Sequence, residues 1–561
     1  MMNKADAGRA NTTSGILTRA LRAAAVFVAL AASMLPATCW GLASNNVQLD
    51  SPIYEYIDKL NGFGLIDSDV HGLKPYSKSE AARLVIEAEG NYKKLGADAP
   101  ELAGEVISRL HFLLPRELDL YPQEDVTPTI DWNPVSSVRL RYVYLEGDPR
   151  SYERFVPDLG GEGLFGIGNI RLTFPKGHVL RSGGNEGTPL FENNEGVIYK
   201  KHNNLELKTE VELYLTQYVT ALLQPLALAS DISSDTQKTH TELGLNKGYV
   251  KLGGKGVELE FGRDANWFGQ GYRGATILSN NAKNLTELKI SSPEPVDWPW
   301  LKRNVGLFKY SIVASRLDPS GKGDALRQPW YAAVKLSIKT TPNFEMGLSY
   351  ARQQGGPNVH VQPGLGGVFS VGDGQGSNSL GGIDLRYRLP WAFLRGTTVY
   401  WEYFGEDSAV VVPIVESHIV GVYVPRLTRD GRNDLRVELY FGNKLAYTDF
   451  KFPAGYTNDA LIMGHSQGGD TRDYYTKLTH YFSVRNTLAF EYFHTQRGRL
   501  GRIGKEAVED TDAARLTWNL PISREWDARL GYGFEHVQNF NLKDGIDRDN
   551  HLARLDVTYR F

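Results

Sequence analysis

Residues 205–215 read Leu-Glu-Leu-Lys-Thr-Glu-Val-Glu-Leu-Tyr-Leu, and 434–441 read Asp-Leu-Arg-Val-Glu-Leu-Tyr-Phe. A period of two sends alternate side chains to opposite faces of an extended chain, so these segments are apolar on one face and charged on the other. Soluble sandwiches also alternate, but over shorter strands whose polar face looks outward. Strands of about ten residues with this division fit a membrane barrel, with lipid outside and a wet interior. The pattern begins near Val135 and runs to the end of the chain, where 555–561 alternate through Tyr559 and close on Phe561. That ending resembles the terminal strand by which bacterial outer-membrane proteins are recognised for insertion.

The connections support the same fold. Those near 253–256, 341–343, 389–396, 483–486 and 520–525 are short, whereas those near 264–283, 317–329, 353–380, 443–471, 497–511 and 537–550 are long. Short and long mostly alternate, as tight periplasmic turns and long outer loops would. About 18 antiparallel strands result, an even number as closure requires. The connection at 177–204 is too long for the periplasmic side to which the count assigns it. Inward charges such as Glu206, Lys208, Glu210, Glu212, Arg436 and Glu438 can pair across strands or line a water path.

Arg9, Arg19 and Arg22 precede an apolar run at 23–35, followed by Pro36 and small residues, which is the layout of an export signal. Cleavage after Ala43 fits best, and the sequence before Cys39 is a poor lipobox. Removing 1–43 takes away the single cysteine, so neither a disulfide framework nor a thiolate metal site is expected. Residues 44–134 then form a small helical module. Asp50-Ser51-Pro52 opens one helix, the capping box Ser77-x-x-Glu80 opens a second to about Gly90, and a third runs over 100–114. Residues 135–561 are the barrel. The 62 Lys and Arg balance 65 Asp and Glu, which gives no bulk attraction for nucleic acid.

Gly464, Ser466 and Gly468 spell the G-x-S-x-G of a hydrolase nucleophile elbow. An elbow needs a strand leading in and a helix leading out. Here the chain enters an alternating stretch at 474–482, and no independent Ser/His/Asp set accompanies it. The motif reads as a loop, and the chain as a non-enzyme.

Four segments carry a family likeness. They are 261–271 (Phe-Gly-Arg-Asp-Ala-Asn-Trp-Phe-Gly-Gln-Gly) with 278–282, 400–407 (Tyr-Trp-Glu-Tyr-Phe-Gly-Glu-Asp), Gly464-His465-x-x-Gly468, and 62–82 with its Gly-x-Gly-Leu-Ile start. Together, over nearly the whole mature chain, they resemble the capsule assembly Wzi family. The resemblance implies an 18-stranded outer-membrane barrel with a periplasmic helical bundle, acting as a lectin for capsular polysaccharide at the cell surface. Sugars offer CH faces to aromatic rings and hydroxyls to carboxylates, amides and guanidiniums. Candidate contacts are therefore Arg263, Asp264, Trp267, Tyr272 and Arg273 on one loop, Glu402 and Asp407 at a strand end, and His465 and Asp470 on another loop. For several of them a girdle or wall role competes, with Arg263 and Asp264 as a lumen pair. The expected partners are capsular or extracellular polysaccharide and the surrounding outer-membrane lipid and lipopolysaccharide. The barrel is expected to be monomeric, with no cofactor and no metal. A channel for oligosaccharides or other small solutes is the rival reading.

Overall fold

The structure is a computed structural model that describes residues 42–96, 99–122, 130–156, 180–230, 240–254, 256–296, 298–360, 376–394, 396–409, 412–449, 451–499 and 507–561. Eighteen strands, from Asp131–Glu146 to Arg548–Arg560, close into an antiparallel barrel. The last strand pairs with the first, with Tyr559 opposite Val138, so no edge is left open. Apolar rows face outward: Leu223 is 51% exposed and Phe261 66%. Exposed Trp132, Trp298, Trp391, Phe482, Trp526 and Phe561 ring the short-turn end, as interfacial aromatics do. The charged rows face inward and are neutralised in pairs, among them Lys251–Glu258 and Lys289–Glu260, each at 2.8 Å.

The connection that fitted poorly has a physical explanation. Strands Asp131–Glu146 and His202–Thr216 are direct neighbours, with Leu145 opposite His202. The chain therefore leaves the first strand and enters the second at the long-loop end. The short strands Arg150–Val156 and Leu180–Gly187 between them pair with each other, apart from the barrel sheet.

Four helices cover the short-turn end: α1 (Ile53–Gly62), α2 (Lys78–Leu95), α3 (Glu101–Leu113) and α4 (Pro115–Leu120). The Ser77 N-cap of the expected capping box forms, the Glu80 amide donating to Ser77 Oγ at 3.1 Å, while the Glu80 carboxylate accepts from Arg83 Nε at 2.7 Å. Helix α2 continues past Gly90 to Leu95, and α4 is additional to the three expected. Their shared core includes Leu60, Leu65, Leu84, Val85, Val106 and Leu110. Charges dock the helices on the barrel. Lys59 Nζ meets Asp434 at 2.9 Å, Arg109 meets Asp527 at 2.8 Å, and Arg432 meets Glu105 at 2.9 Å. The chain leading into α1 is seated in the same mouth, with the Ala43 amide donating to Gln217 O at 2.9 Å.

The lumen is filled from both ends. From the helical side, 66–76 climb inward; from the other side, the loop 265–284 folds down. They meet as a two-stranded antiparallel ladder, Leu73 opposite Phe268 and Lys74 opposite Trp267, and the Gly269 amide donates to Gly72 O at 3.0 Å. Two more long connections pack over this loop. The Ser279 amide donates to Met463 O at 2.7 Å, and the Glu195 amide to Asn280 O at 2.8 Å. An apolar cluster including Leu73, Phe268, Ile277, Leu278, Tyr456 and Ile462 binds the contents together.

Candidate functional site

Most of the predicted contact residues lie in this internal packing. Glu402 projects from strand Thr398–Ala409 and holds the descending loop by three donors. The Gly271 amide is one; the Thr276 amide and hydroxyl are the others, each at 3.0 Å. The glycines of 269–271 follow from this seat. A Cβ on Gly269 would lie 2.3 Å from Glu402 Oε1, and one on Gly271 would lie 2.1 Å from Gly274 O. Glu402 is thus an anchor for the plug.

Trp267 is buried beside Lys74, whose Nζ lies 5.9 Å from its ring, and its own Nε1 has no hydrogen-bond partner among the described residues. Tyr272 stacks on Tyr475 with centroids 6.0 Å apart and donates to Glu55 Oε1 at 2.8 Å, linking the loop to α1. Arg273 pairs with Glu192 at 3.0 Å and with Asp473. Asp264 accepts from Asn46 Nδ2 at 2.8 Å and so fixes the entering N-terminal segment to the wall. None of these groups faces the outside.

Arg263 departs from the expected lumen pair. It shares the outward face with Phe261, two residues earlier, and its Nη1 donates to Leu245 O at 2.9 Å. Neighbours in a strand point to opposite faces, so Arg263 and Asp264 cannot both look inward. Asp407 lies on the Thr398–Ala409 strand, but its side chain falls outside the described ones.

The glycine-histidine loop is also internal. His465 is fully buried and lies flat on Tyr440, with centroids 3.7 Å apart and planes at 10°. Burial, reinforced by Arg273, pushes its pKa well below the usual histidine range, so the ring is neutral. Gly274 packs so close that a Cβ there would come 2.3 Å from the ring. Asp470 is buried at the loop's end, with φ +50° and its amide donating to Asn443 O at 2.9 Å. Ser466 Oγ is buried with no hydrogen-bond partner among the described residues, and the chain continues into strand Thr471–Tyr481. The elbow geometry is not formed.

The solvent-facing surface at the long-loop end is made by other residues. Lys200 and Lys201 are exposed beside strand His202–Thr216. Lys283 lies between Asp318 at 2.9 Å and Asp459 at 3.7 Å, over a turn in which Asp459 and Ala460 both have positive φ. Such a face offers cations, carboxylates and amides at solvent-accessible positions, the groups that pair with sugar hydroxyls. Sequence reading missed it because charged residues in a loop carry no mark that separates a contact from a solvated tip.

A family model described as capsule assembly protein Wzi matches residues 173–552. Among solved structures the chain is similar to Wzi of Escherichia coli, an outer-membrane protein involved in group 1 capsule assembly and a carbohydrate-binding β-barrel. The TM-score is 0.64 at 17% identity, over 92% of this chain and 100% of that one. It is also similar to an uncharacterised 55.8 kDa protein in the cps region of Klebsiella pneumoniae, with 25% identity over 173 residues. That match takes in 29% of this chain, and the chain spans 33% of the length of that curated relative. On the match over 173–552, together with the closed barrel, this chain belongs to the capsule assembly protein Wzi family.

Proposed function

We propose that the protein is an outer-membrane lectin that binds a surface polysaccharide at its long-loop end and helps to assemble or anchor a capsule. The observation that carries this reading is the filled lumen: the ladder of Leu73 and Lys74 with Phe268 and Trp267 lies across the barrel. A plugged barrel has its loop face as the surface for a large partner outside the cell, and the name of the solved neighbour gives the chemistry of such a partner. In this reading the helices lie in the periplasm, residues 1–43 are the leader, and lipid and lipopolysaccharide surround a monomeric wall. It needs no cofactor and no catalytic step. The buried contacts of Glu402, Arg273 and His465 give the face its shape, while sugar is met by outward groups such as Lys200, Lys201 and Lys283.

The test is binding of the purified protein to the polysaccharide of its own host, beside a deletion strain. Retention is expected to fail in the strain while polymer is still made and shed into the medium. Unchanged cell-bound polymer overturns the proposal. A channel remains the second reading, and a steady conductance of the wild type in a planar bilayer would favour it.

A further inference from the structure

Between the helices and one side of the wall lies a vestibule at the short-turn end. It has two adjoining parts, about 860 Å³ at the mouth and about 330 Å³ deeper in, both bordered by Asp50, Glu55, Lys208, Asn519 and Arg529. The deeper part abuts the inner loop at 191–195 and Tyr272. Each part has the volume of a ligand site.

Where strands Trp526–Gln538 and Arg548–Arg560 border the vestibule, their Arg529, Arg554 and Arg560 are joined by Arg109 of α3, Arg141 of the first strand and Arg485 of a neighbouring turn. At the mouth Arg109, Arg485 and Arg560 all bind one carboxylate, that of Asp527. Further in, Arg141 and Arg554 both bind Asp556. Between the two lies Arg529, directly across the sheet from Asp556. Its Nε donates to Asn519 Oδ1 at 2.7 Å, and among the described residues no carboxylate ion-pairs with it. Five guanidiniums thus share two aspartates and the sixth, Arg529, pairs with neither, while Glu55 is paired with Lys477 at 2.7 Å. Glu206 adds no surplus of negative charge, since Arg139, Arg141 and Lys208 each lie 3.6 Å from it. The facing wall differs: there Glu117, Glu210 and Glu212 surround Lys78 and Arg116. The vestibule is therefore divided, with the guanidiniums that outnumber their carboxylates along one side and the cations of the other side matched by glutamates.

Guanidiniums gathered along one side of a cleft attract a counter-anion, and their planar forks match carboxylate and phosphate oxygens. We infer that this arginine wall binds a short ligand bearing two or more oxyanion groups, entering from the short-turn end. Carboxylates of an acidic oligosaccharide and phosphates share this chemistry. The site is at the opposite end from the proposed polysaccharide face and does not depend on it, so loss of either leaves the other standing.

The test is calorimetric titration of the full protein in detergent micelles with tetragalacturonate, with pyrophosphate and with neutral maltotetraose. One or both anions are expected to bind, more weakly as salt rises, while maltotetraose gives no heat. Binding of tetragalacturonate alone identifies acidic sugar as the source; binding of pyrophosphate alone identifies phosphate. Arg529→Gln, which removes a side chain with a single hydrogen bond, is expected to lower affinity about tenfold at unchanged gel mobility of the folded barrel. Arg529→Glu is expected to abolish binding. Failure of both anions, equal binding of maltotetraose, or full affinity in both variants overturns the inference.

Discussion

Asp58 is the residue through which the helical module is most firmly tied to the barrel. It lies on α1, 4% exposed, and accepts from Arg386 at 2.5 Å and Arg436 at 2.6 Å, on two separate strands; His71 Nδ1 is 3.8 Å away. Asp58→Ala leaves two guanidiniums buried without their counter-charge, a change that costs roughly 3–5 kcal/mol when one partner of a buried pair is removed. At about 1.4 kcal/mol per decade, the undocked population rises by roughly two to three and a half orders of magnitude. Hydrogen exchange of the amides in α1 to α3 reads this directly, with the amides of the barrel strands as internal reference. Faster exchange is expected in the helices alone. Glu89→Gln serves as control, because its pair with Lys93 lies on the exposed side of α2 and contributes little. The pH dependence gives a second check. Burial raises the Asp58 carboxyl, but Arg386, His71 and Arg436 outweigh it and hold its pKa well below the carboxylate range. Its contribution is therefore complete above the unfolded pKa near 3.8 and is lost only as pH falls through the lower folded value, so moving from pH 7 to 5 should not mimic the mutation. Helical exchange as slow as in the wild type, or equal acceleration in helices and strands, refutes the docking argument.

Gly269→Val should push the descending loop off Glu402 and break its ladder with Leu73, so that ionic current appears in a planar bilayer; a barrel as tight as wild type would contradict the plug. His71 and His465 are both buried, and burial pushes both well below the usual histidine range. An unfolded chain takes up their protons below about pH 6.5 and the folded one does not, so stability falls with acidification by about 1.4 kcal/mol per histidine per pH unit. Thermal unfolding at pH 7 and 5 measures this, and His71→Gln should flatten the slope. Ser466→Ala removes a buried hydroxyl without a partner, so stability should hold or rise by about 1 kcal/mol, and any esterase background should be unchanged.

Much of the wall was readable because its physics is periodic. Leu205, Leu207 and Val211 face lipid while Glu206, Lys208 and Glu210 face the interior, and a one-residue error would invert every position. The same rule could have corrected Arg263, since Phe261 sets the outward parity for it. The plug was not readable. Inside a wet barrel, burial selects amides, carboxylates and glycines, so 265–284 has the composition of a solvated loop although nearly all of it is buried. Trp267, Tyr272 and Glu402 drew attention for sound chemical reasons, but their partners are far away in sequence: Glu55 for Tyr272, and Gly271 and Thr276 for Glu402.

The ladder between 73–74 and 267–268 has a mechanical consequence. One of its strands descends from the long-loop end and the other rises from the helical end, so a pull on the long loops travels to the helices through main-chain bonds. The lipid-facing staves need not carry that load. A load on the long loops would strain the bolt in the middle before it strained the cask.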